Sequence, residues 1–590
     1  MTAHPMTLDP VQLALTQNRL DYITRQMGEV MVRTARSPIF SQAHDFTCFV
    51  CGPDGWLVSQ ADGIPIHSGG GGFAVRAVLR DFADDIEPGD VFVLNDPWRA
   101  GGNHLPDWVV ARPVFVDGRR VAFCCNRAHQ SDIGGGAPGT YNPLAHDTWQ
   151  EGVRLPALKL ISRGETRRDL WRLLLANSRT PELQDGDLRA MVGATRIGAE
   201  RVAEFAGEVS AGQALALFDG ILDHAERRMR AALAALPDGV YEGADHSDND
   251  CFEPCDVAVR ARLIIGGDGA RVDLSGSSPQ IRGFKNSTWA NTCSSVYTAF
   301  ASFFEPDIPR NEGTFRAVEI VAPEGSIVNA TEGAATTMCT VFVAHEIIHA
   351  CWKALGAASP ERACAGWAKN VFGITTGRHG DGRRYVLYHG LAAAGAGAVE
   401  GRDGFNQIGH LCTLGGLVMP SLEVYEQLYP VRYRRCEFRR DGGGAGEWRG
   451  GTGVEYEIDV HTEGTWSFRG EGLRYRTGYG AAAGLDGEGG EMEVHPVGAP
   501  TFAAPKFGLR ELGPARLVVS SPGGGGFGDP LDRDPEQVLR DVRDAVISAA
   551  SALNVYGVVL APGSRAVDTD ATLRRRAALR QNVTSSSKAP

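Results

Sequence analysis

The chain has 590 residues, 43% of them apolar, and a formal net charge of −12. That length exceeds what one hydrophobic core supports, so roughly two to four domains are expected. Acids and bases are interspersed under a negative balance, which argues against nucleic acid or anionic lipid as a partner. No run of about eighteen apolar residues predicts a membrane span. The opening MTAHPMTLDP has no basic-then-apolar signal pattern, so a cytoplasmic protein is expected. The twelve cysteines are scattered; Cys48/Cys51 and Cys251/Cys255 lack the context of a redox or zinc motif and read as structural thiols.

Asp9-Pro10 opens a long amphipathic helix to about residue 36, its stripe being Leu15, Leu20, Ile23, Met27, Val30 and Val32. Short β-rich runs follow: FTCFVC, WLVSQ, DVFVLND, DWVVARPVFVD and RRVAFCCNRAH, with turns at Pro53-Asp54-Gly55 and Asp117-Gly118. Residues 1–160 are expected to form an N-terminal helix plus a metal-binding sheet region. Three helices are expected over 161–238, an α/β region over 239–384, and a strand-rich region over 385–580 that ends in a helix from Asp534 to Leu553. Residues 581–590 read as a disordered tail. The fold class is α+β, multidomain, with mixed sheets, helical segments and a glycine-rich C-terminal region. Glycine is the compositional outlier, 74 residues, clustered at 69–72, 134–136, 442–444 and 523–526. Such clusters between apolar strands read as tight loops near a site or as chain crossings, not as flexible linkers.

Acids and histidines recur between Asn95 and Lys159 with the spacing of a metal site. Two H-x-x-D units, His104/Asp107 and His129/Asp132, stand beside turn-forming Gly and Pro. Asp45 interrupts a buried-strand pattern, which is costly unless the acid is paired or metal-bound. Asp45, His104, Asp107 and His129 make a set of two carboxylates and two imidazoles, suited to Zn, Mn or Fe. The same residues also suit caps, turns and a strand start. Asp132 and Glu151 are candidates for orienting a ligand or moving protons. Asp96 sits at a strand end, a common place for site residues. His67 and His146 read as satisfied loop histidines.

Residues 345–349 read HEIIH, the short H-E-x-x-H pattern of zinc peptidases, but no third ligand follows at a typical offset. A largely buried helix is the expectation there. No glycine loop fits G-x-x-x-x-G-K-[ST], and GGGGFGDP lacks a strand-then-helix context. ATP, if used, is not expected to bind mainly to this chain.

The segments NDPWRAGGNHLPD, AHQSDIGGGAPG, QEGVRLPALKL, PDIPRNEGTFRAVEI, GGGAGEWRGGTGVE and GGGGFGDPLDRDPEQVLRDVRD, in this order, resemble the hydantoinase B/oxoprolinase family over nearly the whole chain. The resemblance implies a two-protein machine. A companion A subunit with an actin/hexokinase-like ATP site phosphorylates an oxygen of the substrate, and the B subunit carries the metal and completes the reaction. It also implies ligands at Asp45, His104, Asp107 and His129, and a proton-transfer or ligand-orienting role for Asp132. The segment IPIHSGGGGF departs from the family pattern, so a substrate does not transfer from any one relative.

The reaction expected first is opening of a hydantoin, lactam or oxoproline-like ring, the metal lowering the pKa of water that attacks an activated carbon. Ketone carboxylation of the acetone or acetophenone type is the alternative; the chain's length favours the amidohydrolase. A metal-free structural subunit is the third reading. Hetero-oligomers with the A-type subunit follow from the resemblance alone.

Overall fold

Strand register, more than any single motif, brings the chemistry-bearing residues together. The structure, a computed structural model, describes residues 9–60, 63–69, 71–561, 563 and 566–586. The architecture is α+β and the chain divides into two compact units. The first comprises residues 1–358 with 384–386 and 412–420; the second comprises 359–383, 387–411 and 421–590.

In the first unit a seven-stranded antiparallel sheet has the order β2-β1-β5-β4-β3-β6-β7. The strands are β1 (Phe46–Cys51), β2 (Leu57–Gln60), β3 (Val91–Leu94), β4 (Asp107–Val116), β5 (Arg119–His129), β6 (Leu158–Ser162) and β7 (Glu165–Thr166). Its central strands are apolar on both sides because both faces are covered. Helix Gly71–Phe82 sets Val75 and Val78 against Phe49, Phe92 and Phe123. The long helices Pro10–Thr34 and Pro181–Val209 pack against β1, β4 and β5. The buried stripe of the first helix is Thr16, Leu20, Ile23, Thr24, Met27 and Met31. This corrects the expected stripe: Leu15 is 64% exposed, because the helix turns its 16–20–23–27–31 face inward.

β4 and β5 form a hairpin through Asp117-Gly118, both at positive φ (52° and 74°), as a two-residue hairpin turn requires. From that turn, pairing with one irregularity at Val114/Phe115 runs down to Asp107 opposite His129. β1 pairs with the other edge of β5, placing Phe46 opposite Ala128, and the His129 amide donates to the Asp45 carbonyl. Asp45, Asp107 and His129 therefore end at one edge of one sheet.

Three helices, Arg168–Ala176, Pro181–Val209 and Ala211–Ala234, form where the periodicity places them. A second sheet, order β11-β10-β9-β8 in chain-wide strand numbering, consists of Gly239–Asn249, Pro254–Gly266, Gly269–Asp273 and Val318–Val321. Helix Phe342–Ala358, which carries HEIIH, packs on its first two strands. The segment IPIHSGGGGF is not an extended loop: it supplies the short helix Pro65–Ser68 and the start of Gly71–Phe82, while Gly70 lies outside the described residues.

The second unit contains a five-stranded sheet and a sheet in which Val371–Arg378 pairs with Gly464–Gly470 and that strand with Phe507–Leu512. Its glycine-rich segments are chain crossings. The Gly524 amide donates to the Gly451 carbonyl, Gly451 to Ala396, Gly444 to Gly524, and Gly525 to Gly366. These backbones lie so close that a Cβ on Gly524 would stand 2.0 Å from the Ala396 carbonyl oxygen. The expected terminal helix is two helices, Pro535–Arg543 and Ala549–Asn554. Ala545 at φ 58° breaks the run and Ser548 caps the second piece. The expected tail is corrected in part: helix Thr569–Ser586 includes residues 581–586, and 587–590 lie outside the described residues.

Among the described residues the twelve cysteines form no disulfide. No helix among the described residues is long and apolar enough to cross a membrane.

Candidate metal centre

Asp107 is the hub. Its carboxylate is fully buried, with Oδ1 2.7 Å from His104 Nε2 and 3.1 Å from His129 Nδ1. Ligand atoms of His104, Asp107 and His129 lie within 4.8 Å of one another, the one such group of His, Cys, Asp and Glu among the described residues. Burial disfavours charge on Asp107, but His104 and His67 outweigh it and hold the carboxyl well below its usual range. Burial likewise works against a charged His104, and the Asp107 carboxylate overrides it, so its pKa is raised.

His104 reaches the hub from the loop before β4, three residues upstream of Asp107. Its Nδ1 lies 2.5 Å from the Thr337 carbonyl, so that nitrogen carries the proton and Nε2 faces Asp107. This is the usual way a metal-binding imidazole is oriented. His129 is stacked by the Tyr141 ring at 5.5 Å and 18°, and its Nε2 is 3.4 Å from Thr140 Oγ1.

The other expected residues fall in different places. Asp45 is partly exposed and stands outside the close triad, its Oδ1 3.8 Å from His67 Nε2. Glu151 is buried and accepts from the Thr336 and Thr337 amides at 2.7–2.9 Å. It therefore holds the loop whose carbonyl orients His104, and is not itself at the hub. Asp132 is spent on its own loop: it accepts from the amides of Gly134, Gly139 and Arg179 and pairs with the Arg179 guanidinium at 3.3 Å. Those bonds hold the loop that carries Thr140 and Tyr141. Asp96 caps the turn at Trp98 and Arg99 and receives Arg154 at 2.8 Å. His146 stays at the surface.

Sequence reasoning missed His67. It is 3% exposed, and its Nε2 lies 3.2 Å from Asp107 Oδ2. Only its place after a Pro-x turn marked it, and that signal is weak. Arg127 was missed as well. Fully buried on β5, it donates to the carbonyls of His67 and Gly101 and to Asn103 Oδ1, tying three segments of the site together.

HEIIH is a buried helix face. Glu346 accepts from Ser247 Oγ at 2.9 Å and His349 Nδ1 meets Asp245 Oδ2 at 2.9 Å. These partners tie the side chains to the second sheet, and among the described residues they join no group of converging ligand atoms.

Burial pushes the Glu151 carboxyl up to about 7 from an ordinary 4.5, against the pull of the two amides. Between those values the folded chain keeps a proton that the unfolded chain has lost. Stability therefore falls as pH rises from about 4.5 to about 7, by at most about 3 kcal/mol. Thermal unfolding at pH 5 and pH 8 checks this: Glu151→Gln is expected to flatten the difference seen in the unsubstituted chain. An equal difference in both would remove Glu151 as its source.

Over 583 residues the chain is 35% identical to caprolactamase subunit beta of Pseudomonas jessenii, spanning 97% of this chain and 100% of that one. The crystal structure of the ATP-dependent caprolactamase from Pseudomonas jessenii matches with a TM-score of 0.89 at 34% identity, over 97% of this chain and 100% of that chain. A nucleotide-free acetone carboxylase structure has the same fold, with a TM-score of 0.84 at 21% identity over 99% and 84% of the two chains. Residues 9–530 match the Hydantoinase B/oxoprolinase family, and with these relatives across its length the chain belongs to that family.

Proposed function

We propose that this chain is the metal-dependent B subunit of an ATP-dependent cyclic amidohydrolase, acting on a substrate phosphorylated by a partner A-type subunit. The observation that carries this reading is the buried His104–Asp107–His129 group in a chain similar to a caprolactamase subunit. The donor set fits a divalent ion. Asp107 Oδ2 is buried and, among the described residues, has no hydrogen-bond partner, a cost of about 1–3 kcal/mol that a cation removes. Two imidazoles with carboxylate suit Zn, Mn or Fe alike.

A divalent ion held there supplies Lewis-acid polarisation and lowers the pKa of water. The chain's own residues prepare the site for it. Thr337 O fixes the His104 tautomer, Glu151 fixes Thr337, and Tyr141 with Thr140 fixes the His129 ring. Burial of the whole cluster strengthens its electrostatics. ATP is assigned to the partner because this chain has no phosphate-loop motif; a cytoplasmic hetero-oligomer completes the reading.

The test mixes the purified chain with its A-type partner, ATP and a panel of hydantoin, 5-oxoproline and lactam substrates. ATP-dependent ring opening that needs both proteins is the expected result. The likeness in fold to acetone carboxylase motivates a second reading, ketone carboxylation. Bicarbonate-dependent ATP turnover with a ketone, and none with cyclic amides, would move the assignment there. Full activity of a metal-free chain would instead make it a structural subunit.

A further inference from the structure

Asp107 has two oxygens, and imidazoles approach both. Oδ1 faces His104 and His129, while Oδ2 lies 3.2 Å from His67 Nε2. We infer that His67 is a ligand of the same metal centre, making it a three-imidazole site and drawing Asp45 into the set. This rests on the metal-centre reading above and goes beyond its ligands.

Three observations carry the inference. The first is spacing. Adjacent ligands on an ion with bonds near 2.0–2.2 Å lie about 3.0–3.5 Å apart, and the His67–Asp107 contact of 3.2 Å falls in that range. His67 Nε2 also lies 3.8 Å from Asp45 Oδ1, so it is the group through which Asp45 reaches the hub.

The second is an unmet need. The His67 ring is 3% exposed, and among the described residues its Nδ1 has no hydrogen-bond partner. An imidazole buried for packing alone normally satisfies both nitrogens. His389 does so, with Thr375 Oγ1 at 2.7 Å and Tyr456 OH at 2.9 Å. His67 instead aims Nε2 at an acceptor that also lacks a hydrogen bond, Asp107 Oδ2. His67 Nε2 lies 3.2 Å from Asp107 Oδ2, and that buried oxygen, left without a hydrogen bond among the described residues, is costly unless something else binds there.

The third is mounting. The helix bearing His67 is locked to the segments bearing the other ligands. Asn103, next to His104, donates through Nδ2 to the Ile66 carbonyl at 2.6 Å. Arg127, two residues before His129, donates to the His67 carbonyl at 2.9 Å and to Asn103 Oδ1 at 3.0 Å. A buried arginine spent on holding these backbones together fixes His67 relative to the triad with the rigidity a ligand needs.

The test loads the purified full-length chain, its His67→Gln variant and its His67→Ala variant with Zn²⁺ or Mn²⁺ alone. Metal dissociation constants are measured by titration, and coordinated imidazoles are counted by X-ray absorption on the zinc forms. Circular dichroism verifies that each variant is folded; Gln keeps a polar contact to Asp107 if Ala does not fold. Three imidazoles in the unsubstituted chain, two in His67→Gln, and a dissociation constant raised about 10–100-fold are expected. Two imidazoles in both, whatever the change in affinity, would reduce His67 to an orienting neighbour and overturn the inference alone. A folded, unsubstituted chain that binds neither ion would overturn both this and the metal-centre reading.

Discussion

Asp107→Asn is expected to empty the centre: metal content falls from about one equivalent to near zero, and partner-dependent turnover falls by about a thousandfold or more. The carboxylate is fully buried and meets His104 at 2.7 Å, His129 at 3.1 Å and His67 at 3.2 Å. Asparagine keeps the volume and removes the charge, and its amide nitrogen opposes at least one of those rings donor to donor. The metal-free variant also loses the charge that stabilises His104, a cost of about 3–5 kcal/mol for a broken buried pair. Elemental analysis and thermal unfolding read both effects on one sample. His104→Ala and His129→Ala are expected to lose metal similarly. Full metal content with full activity in any of the three would remove the residue concerned from the site.

Gly524→Ala is expected to carry a large stability cost away from the centre. The added methyl carbon would lie 2.0 Å from the Ala396 carbonyl oxygen and 2.2 Å from its carbon. Both atoms belong to backbone that is itself hydrogen-bonded, Gly451 N to Ala396 O and Gly524 N to Gly451 O. No side chain can swing aside, so the crossing must separate and surrender these bonds. A loss of about 3 kcal/mol or more is expected, at or above the upper end of ordinary overpacking. Gly513→Ala is the control, since a Cβ there has nothing within 4 Å. Its unfolding free energy should stay within about 0.5 kcal/mol of the unsubstituted chain. Equal midpoints for the two variants would show that the crossing has room the geometry denies.

Much of the architecture was legible because it rests on local pattern. The helices over 168–234 follow from apolar residues at helical spacing, and the β4–β5 hairpin from a turn dipeptide between two apolar runs. Boundaries failed where a local break is weakly encoded. Ala545 takes a positive φ that nothing about alanine announces, and one expected helix became two. The stripe of helix Pro10–Thr34 was misplaced because Thr16 and Thr24 are buried while Leu15 is not, a choice made by the surfaces it packs on.

The candidate site divides in the same way. Asp107 and the two histidines were readable since H-x-x-D units beside turns are a local signal, and the hairpin register then sets Asp107 opposite His129. Asp132, Asp96 and Glu151 carried the same residue type and neighbourhood, but which carboxylates face a ligand and which face backbone amides depends on contacts far along the chain. Arg179 occupies Asp132, Arg154 occupies Asp96, and Thr336 with Thr337 occupies Glu151.

By itself, then, the sequence determined the family, the α+β class and the residues from which a metal centre could be made. Only the tertiary structure decided which acids are spent on backbone and which stand among imidazoles, and it alone brought His67 and Arg127 to the hub. The physical reason is that spacing encodes helices, strands and hairpins. The fate of a buried charge is set instead by whichever distant donor reaches it when the layers close, and no local pattern records that choice.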